Sequence, residues 1–86
     1  MLKRTLFFSS SGKLYIKNSL LWYEPGDPAA EKRSFPIEDI GFIVIENQQM
    51  LITSYALNAL AENNTAVIIC DSVHLPSAQL LPYSAN

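Results

Sequence analysis

Hydrophobic residues along this chain follow the two-residue period of β-strands more often than the longer period of helices. Leu14 and Ile16 alternate with two lysines and a tyrosine, so one face of this strand is predicted to be buried and the other to meet water or a partner. The strand before it, residues 4–9, is predicted to pair with it in a hairpin closed by "SSSG". Asn18 and Ser19 are predicted to turn the chain into a third strand.

Two runs, residues 42–45 and 66–70, are apolar without alternation. Such runs are typical of central strands covered on both faces. One helix is predicted over residues 54–63, because alanines and leucines recur along a single face and Thr53 is a suitable N-cap. The fold class is therefore mainly β with one helix (α+β), a small antiparallel β-sandwich-like domain.

Length and composition set the limits of the fold. The chain has 86 residues, of which 49% are hydrophobic, so it forms one domain, residues 1–86, and is too apolar to be disordered. Its apolar runs are far shorter than the roughly 20 residues that span a bilayer, so we expect no membrane association. Cys70 is the only cysteine, which excludes an intrachain disulfide and fits a cytoplasmic protein.

Charge is distributed unevenly along the chain. Residues 1–20 carry four cations and no carboxylate, whereas the remaining residues carry two cations and eight carboxylates. A basic segment attracts phosphate, but four cations alone are too few to indicate nucleic-acid binding. The simpler interpretation is a solvated strand edge protected by lysines.

Three carboxylates flank the apolar run at residues 42–45. Glu38 and Asp39 are adjacent, and Glu46 lies at the far end of a strand roughly 20 Å long. This spacing does not form a single metal shell, so the first two are predicted to lie in a turn and the third at a strand end.

The segment "CDSVH" offers a second candidate chemistry. Cys70, Asp71 and His74 supply a thiol, a carboxylate and an imidazole after a buried strand, which is the basis for an alternative hypothesis, a stand-alone small enzyme. The chain has no second cysteine or histidine and no glycine-shaped nucleophile turn. A generic protein-interaction module is the other alternative.

Five segments together resemble a known family. In order and at the right separations, "LKRTLFFSS", "LYIKN", "FPIEDIGFIVIEN", "ALNALAENNTAVIICD" and "HLPSAQLLP" resemble the N-terminal β domain of the CRISPR-associated spacer-acquisition integrase, particularly its type II form. The resemblance covers nearly the whole chain except residues 25–33. It implies that a larger, helical catalytic domain, absent from this sequence, carries the metal ligands of the full-length protein.

The resemblance also implies a function. The full-length family is a metal-dependent DNA endonuclease and integrase that uses Mg or Mn. This chain would be its non-catalytic dimerisation and DNA-scaffold domain, with no cofactor and no enzymatic activity of its own. The implied partners are a second copy in a homodimer, a small ferredoxin-like CRISPR adaptation protein and double-stranded DNA.

Candidate site residues follow from the basic segment, from the apolar strands and their aromatic residues, and from the first turn, which in the family lies near DNA. Here that turn contains serines and no aromatic wedge. The DNA-contact candidates are Arg4, Ser10, Ser11 and Lys13. The dimer or core candidates are Trp22, Phe42, Ile43, Ile45 and Leu51.

Overall fold

The computed structural model describes residues 3–83, which form two four-stranded sheets and one helix. Sheet I has the strand order β1-β5-β7-β8, and sheet II has the order β4-β3-β2-β6. A short 3-10 turn, Ile37–Asp39, precedes β5. The elements are β1 (Arg4–Phe8), β2 (Gly12–Lys17), β3 (Leu20–Pro25), β4 (Arg33–Pro36), β5 (Ile40–Ile45), β6 (Met50–Ile52), α1 (Ser54–Glu62), β7 (Ala66–Cys70) and β8 (Pro76–Leu80).

The predicted class, mainly β with one helix, is confirmed, but both sheets are mixed. The pairs β2–β3, β3–β4 and β7–β8 are antiparallel, as predicted. The pairs β1–β5, β5–β7 and β2–β6 are parallel, which the antiparallel prediction did not include. The physical reason is the connection: β5 and β7 are joined through β6 and α1, and a crossover of that length returns the chain in the same direction.

The predicted hairpin between the first two strands is wrong. β1 pairs with β5 in sheet I, whereas β2 pairs with β3 and β6 in sheet II. The serine segment therefore carries the chain from one layer to the other. The layers meet where the Phe8 ring lies 5.0 Å from the Tyr23 ring, centroid to centroid. The apolar face of β1 therefore packs against sheet II from the opposite layer, and β1 is not hydrogen-bonded to β2.

Local predictions in the middle of the chain are confirmed. β2 and β3 form a hairpin whose turn residues, Asn18 and Ser19, have φ values of 55° and 60°. These angles match a type I′ turn, which suits the right-handed twist of hairpin strands. The acidic pair of the "PIED" segment lies in the 3-10 turn, as predicted. The strand before that turn, β4, pairs with β3.

The helix also begins and ends as its sequence predicts, within one residue. The Thr53 hydroxyl accepts a hydrogen bond from the Ala56 backbone N–H at 3.0 Å, which is the N-cap contact. Ala56 and Leu60 are fully buried. Asn64 follows the helix with φ of 60°, the left-handed conformation expected just past a C-terminus.

A buried polar cluster connects the end of α1 to the 3-10 turn. The Asn63 side-chain amide donates to the carbonyl oxygen of Ile37 at 2.7 Å and to the Thr65 hydroxyl at 2.8 Å. Thr65, only 2% exposed, donates in turn to the carbonyl oxygen of Ile40 at 2.8 Å. These bonds satisfy carbonyls at the entrance to β5 and fix the helix end against it.

The core lies between the two sheets, and it does not cover both faces of the apolar strands as predicted. Phe42 of β5 remains 47% exposed on the outer face of sheet I, because α1 packs mainly on β2 of sheet II. All residues of β8, at one edge of sheet I, are exposed. The buried apolar residues are Leu6, Phe8, Leu14, Leu21, Tyr23, Phe35, Ile40, Ile43, Ile45, Ala56, Leu60, Ala66, Val67 and Cys70.

Within residues 3–83, no helix has the length and apolarity that crossing a membrane requires.

Candidate functional surfaces

The crossover segment Ser9–Ser11 is held by the core beneath it. The Tyr23 hydroxyl lies 3.1 Å from the carbonyl oxygen of Ser10 and 3.0 Å from that of Ser11, so it can donate to both. The backbone N–H of Gly26 donates to the same Ser11 carbonyl at 3.0 Å. The backbone of the two predicted DNA-contact serines is therefore fixed, while the Ser10 side chain remains exposed.

An open groove of about 610 Å³ lies beside this segment. Ser10 and Ser11 line one part of it, and Arg33 lines another. Asp27 and Glu31 also line the groove, and their carboxylates oppose an anionic ligand inside it. The groove is thus lined by both charges. Its cationic residue, Arg33, was not among the site residues predicted from sequence.

The structure does not bring the four predicted DNA-contact residues into one site. Lys13 lies on the outer face of sheet II, with its ammonium nitrogen 5.6 Å from the centroid of the Tyr15 ring. Arg4 begins β1 in sheet I, and its guanidinium carbon is 5.4 Å from the Phe35 centroid. Arg4 is therefore separated from Ser10 and Ser11 by the length of β1.

Arg33 is the functional candidate that sequence reasoning missed. Its guanidinium carbon lies 5.3 Å from the centroid of the same Phe35 ring. In sequence it follows a long polar loop and stands 29 positions from Arg4, so no local pattern connects the two residues. Only the packing of β4 against the edge of sheet I brings them together.

The outer face of sheet I is apolar and largely uncovered. The parallel register places Phe7 beside Val44, Val44 beside Ile68, and Phe42 beside Ala66. Phe7 is 65% exposed, and Phe42 is 47% exposed. A cluster of exposed aromatic rings next to half-buried aliphatic residues is typical of an interaction surface. We call Phe7, Phe42, Val44 and Ile68 the outer apolar face.

The predicted dimer or core residues lie in three different places. Ile43 and Ile45 are core residues, with exposures of 0% and 5%. Phe42 belongs to the outer apolar face of sheet I. Trp22 lies half-buried beside Tyr15 on the outer face of sheet II, where Leu51 is 69% exposed.

Cys70, Asp71 and His74 form a structured turn between β7 and β8. One Asp71 carboxylate oxygen accepts hydrogen bonds from the backbone N–H groups of Val73 and Leu75, both at 3.0 Å. The backbone N–H of His74 donates to the Asp71 carbonyl at 3.0 Å, and Cys70 is buried. The carboxylate thus organises the turn.

The flanking carboxylates occupy the positions predicted for them. Glu38 and Asp39 lie in the 3-10 turn, and the backbone N–H of Glu46 donates to the Phe8 carbonyl at 2.9 Å just after β5. In the part of the chain that the structure describes, no three cysteine, histidine or acidic side chains are close enough to hold a metal ion. The described residues therefore do not fit the divalent metal that the family resemblance implies.

The fold and these surfaces define a small two-sheet α+β domain whose exposed chemistry is an apolar sheet face and separate cationic side chains. No protein-family model matches the chain. In sequence it is 38% identical, over 81 residues, to the CRISPR-associated endonuclease Cas1 of Neisseria meningitidis serogroup C (strain 8013). That match covers 94% of this chain and 26% of the relative.

Solved structures share the fold. A Cas1 protein from Thermotoga maritima superimposes with a TM-score of 0.81 at 14% identity, covering 96% of this chain and 25% of that one. A Cas1–DNA complex gives a TM-score of 0.74 at 17% identity, covering 92% and 28%. A partial Cas6-RT-Cas1–Cas2 complex gives 0.76 at 17%, covering 94% and 24%.

The resemblance to the CRISPR integrase family is thereby confirmed. Over nearly all of its own length the chain is similar in sequence to a Cas1 endonuclease, and it shares its fold with a solved Cas1 structure. It spans about a quarter of the length of the relatives that it matches.

Proposed function

We propose that this chain is the non-catalytic β domain of a CRISPR adaptation integrase, where it supports dimerisation and positions DNA. The 38% identity to a Cas1 endonuclease over 94% of the chain carries the proposal. In the full-length protein, the metal-dependent endonuclease and integrase chemistry, with Mg or Mn, would belong to residues outside this sequence.

A second copy of the chain is the partner that we assign to the outer apolar face. The exposed part of one phenylalanine corresponds to roughly 100 Å², and burying it is worth about 2.5 kcal/mol at about 25 cal/mol per Å². Phe7 and Phe42 both lie on this face. In a two-fold symmetric dimer each ring would occur twice, so the four rings would bury roughly 400 Å² at the centre of an interface that needs roughly 1,200 Å² in all.

Sedimentation velocity at several micromolar concentrations tests the dimer. The variant Phe42→Ser should raise the dimer dissociation constant at least tenfold, because a ring is removed from both copies. Tyr55→Ser is the matched control, since Tyr55 is a 69% exposed aromatic on the helix and lies outside the outer apolar face. A strictly monomeric parent chain, or equal weakening by both variants, would contradict the assignment.

Double-stranded DNA and a small Cas2-like protein are the other proposed partners. Their support is the presence of DNA in one structural neighbour and of Cas2 in another, together with the excess of cations in residues 1–20. Phosphate contacts by such cations supply affinity and position rather than sequence recognition. We therefore expect duplex binding by this chain to be independent of sequence and to weaken as salt is added.

Duplex binding can be measured by fluorescence anisotropy over a range of salt concentrations. Replacing Lys13 by Gln should lower the salt dependence by about one counterion if Lys13 contacts phosphate. Asn58→Asp is a useful contrast, because it adds a negative charge on the exposed side of the helix, away from the crossover segment. If Lys13→Gln leaves both affinity and salt dependence unchanged, Lys13 is not a DNA contact.

A further inference from the structure

Two arginines from different sheets converge on one buried aromatic ring. Arg4 is the first residue of β1 and Arg33 is the first residue of β4, and these strands are edges of sheet I and sheet II. Their guanidinium carbons lie 5.4 Å and 5.3 Å from the Phe35 centroid. Phe35 itself is only 6% exposed, whereas both arginines are exposed. The arginine stems therefore close the edge of the sandwich, and their charged ends face solvent.

Among residues 3–83, neither guanidinium lies within ion-pair distance of a carboxylate. In the described range 3–83 the only ion pair joins Lys32 to Glu24, at 3.7 Å. Two cations held near one ring repel each other, and attraction to the ring face offsets only part of that cost. An anion that reaches both guanidinium groups would reduce this repulsion and would accept hydrogen bonds from each of them.

We infer that Arg4 and Arg33 form a joint binding site for a phosphate group of a nucleic-acid backbone. Each planar guanidinium can donate two parallel hydrogen bonds to phosphate oxygens, and a tetrahedral phosphate offers oxygens in different directions to two such donors. The same chemistry would accept inorganic phosphate. The assignment to a nucleic-acid backbone rests on the proposed DNA-binding function.

The carboxylates near Arg33 allow the direction of a change in phosphate affinity to be predicted. Asp27 directs one oxygen to the backbone N–H of Ala29 at 2.9 Å, so that oxygen is engaged in its own loop. Glu31 is exposed and lines the same groove as Arg33. Its negative charge opposes phosphate, so Glu31→Gln should strengthen phosphate binding while Arg33→Gln weakens it.

The main experiment measures duplex DNA binding by the 86-residue chain and its variants. Arg33→Gln should weaken binding about tenfold, the effect of losing one charged hydrogen-bonding group. Lys32→Gln is the matched control: it removes the same charge one residue earlier, but from a side chain already paired with Glu24, and it should weaken binding less than threefold. In the double variant Arg4→Gln/Arg33→Gln, the loss should be smaller than the product of the two single losses, because both residues act on one phosphate.

Three results would overturn the joint site: equal effects of Arg33→Gln and Lys32→Gln, fully independent losses in the double variant, or weaker binding by Glu31→Gln. Each variant is compared at matched folded fraction, measured by thermal unfolding, because the arginine stems also cover Phe35. Arg33→Met keeps the apolar stem and loses the charge. It should bind as weakly as Arg33→Gln even where its thermal stability equals that of the parent chain.

Titration with inorganic phosphate separates this inference from the proposed function. The side-chain Nε–H resonances of Arg4 and Arg33, observed by NMR, should shift together with one dissociation constant, even if the chain fails to bind duplex DNA. If both resonances shift with phosphate but duplex DNA does not bind, the proposed DNA-binding function is wrong and the phosphate site is supported. If DNA binds but the two resonances do not respond to phosphate, the joint site falls. A glutamate-rich peptide that shifts both resonances as strongly as phosphate would also overturn the phosphate assignment.

Discussion

Removing the Thr65 hydroxyl should destabilise the domain measurably, although the shape of the side chain hardly changes. Thr65→Val deletes the donor to the Ile40 carbonyl at 2.8 Å and the acceptor for the Asn63 amide at 2.8 Å. The Asn63 amide keeps the Ile37 carbonyl at 2.7 Å and a second contact to the Ile40 carbonyl at 3.2 Å, so no group is left entirely unpaired. We expect a loss of about 1–2 kcal/mol in the free energy of unfolding.

For a domain of this size, a change of 1 kcal/mol moves the melting temperature by about 4–8 °C. The expected drop is therefore roughly 5–15 °C, measured by circular dichroism at fixed protein concentration, so that self-association does not contribute. Thr5→Val is the matched control: Thr5 lies on the exposed face of β1, and its replacement should change the melting temperature by less than about 3 °C. A Thr65→Val variant as stable as the parent would refute the role of this cluster.

Substitutions at three other sites, each with its expected change in stability, are tested by the same measurement. Ser19→Gly should stabilise the chain by about 0.5–1 kcal/mol, because φ of 60° at this turn position costs serine more than glycine; a loss of stability would contradict the type I′ assignment. Gly12→Ala should lower the free energy of unfolding by about 1–3 kcal/mol, since the new Cβ would lie 2.5 Å from the Tyr23 ring and 2.6 Å from the Glu24 carbonyl oxygen. Gly26→Ala is the control and should cost less, because its Cβ would meet mainly a movable serine hydroxyl. Asp71→Ala should cost about 1–3 kcal/mol, because two turn N–H groups lose their acceptor, and Asp71→Asn should retain part of that stability; equal effects of the two substitutions would exclude this role of the carboxylate.

Features fixed by neighbouring residues could be predicted from sequence. The helix begins at Ser54 because the Thr53 side chain caps it, and the β2–β3 hairpin turns at Asn18 and Ser19 because few residues adopt positive φ more readily than Asn. These signals lie within a few positions of each other. They required no knowledge of which strand would become the neighbour of which.

Features fixed by distant parts of the chain could not be predicted in the same way. β1 looked like the partner of β2 because the two are adjacent in sequence, yet its apolar Leu6 and Phe8 are buried when it pairs with β5 and packs over sheet II. The alternation pattern indicates that a strand has a buried face, but it does not predict which strand pairs with it. The pairing of β1 with β5 depends on the whole two-layer arrangement.

The same limit applies to the candidate sites. The excess of cations in residues 1–20 indicated Arg4 and Lys13 as DNA contacts, but the fold places these two residues on different surfaces. Arg33 was missed because only tertiary packing joins it to Arg4 above Phe35. For the apolar runs, sequence indicated two buried faces. It could not reveal that one face of sheet I stays largely uncovered within residues 3–83, where Phe7 is 65% and Phe42 47% exposed.

The motifs that indicated the family prove to be in contact with each other. The "PIEDI" segment presents the carbonyls of Ile37 and Ile40, and the "NNT" segment after the helix supplies the Asn63 amide and the Thr65 hydroxyl that bind them. The resemblance therefore reflects a packing arrangement between the 3-10 turn and the end of α1. Its acidic residues, Glu38 and Asp39, belong to that turn. These motifs therefore indicate the family and the fold. They do not indicate the integrase reaction, because the metal ligands that the reaction requires are not among them.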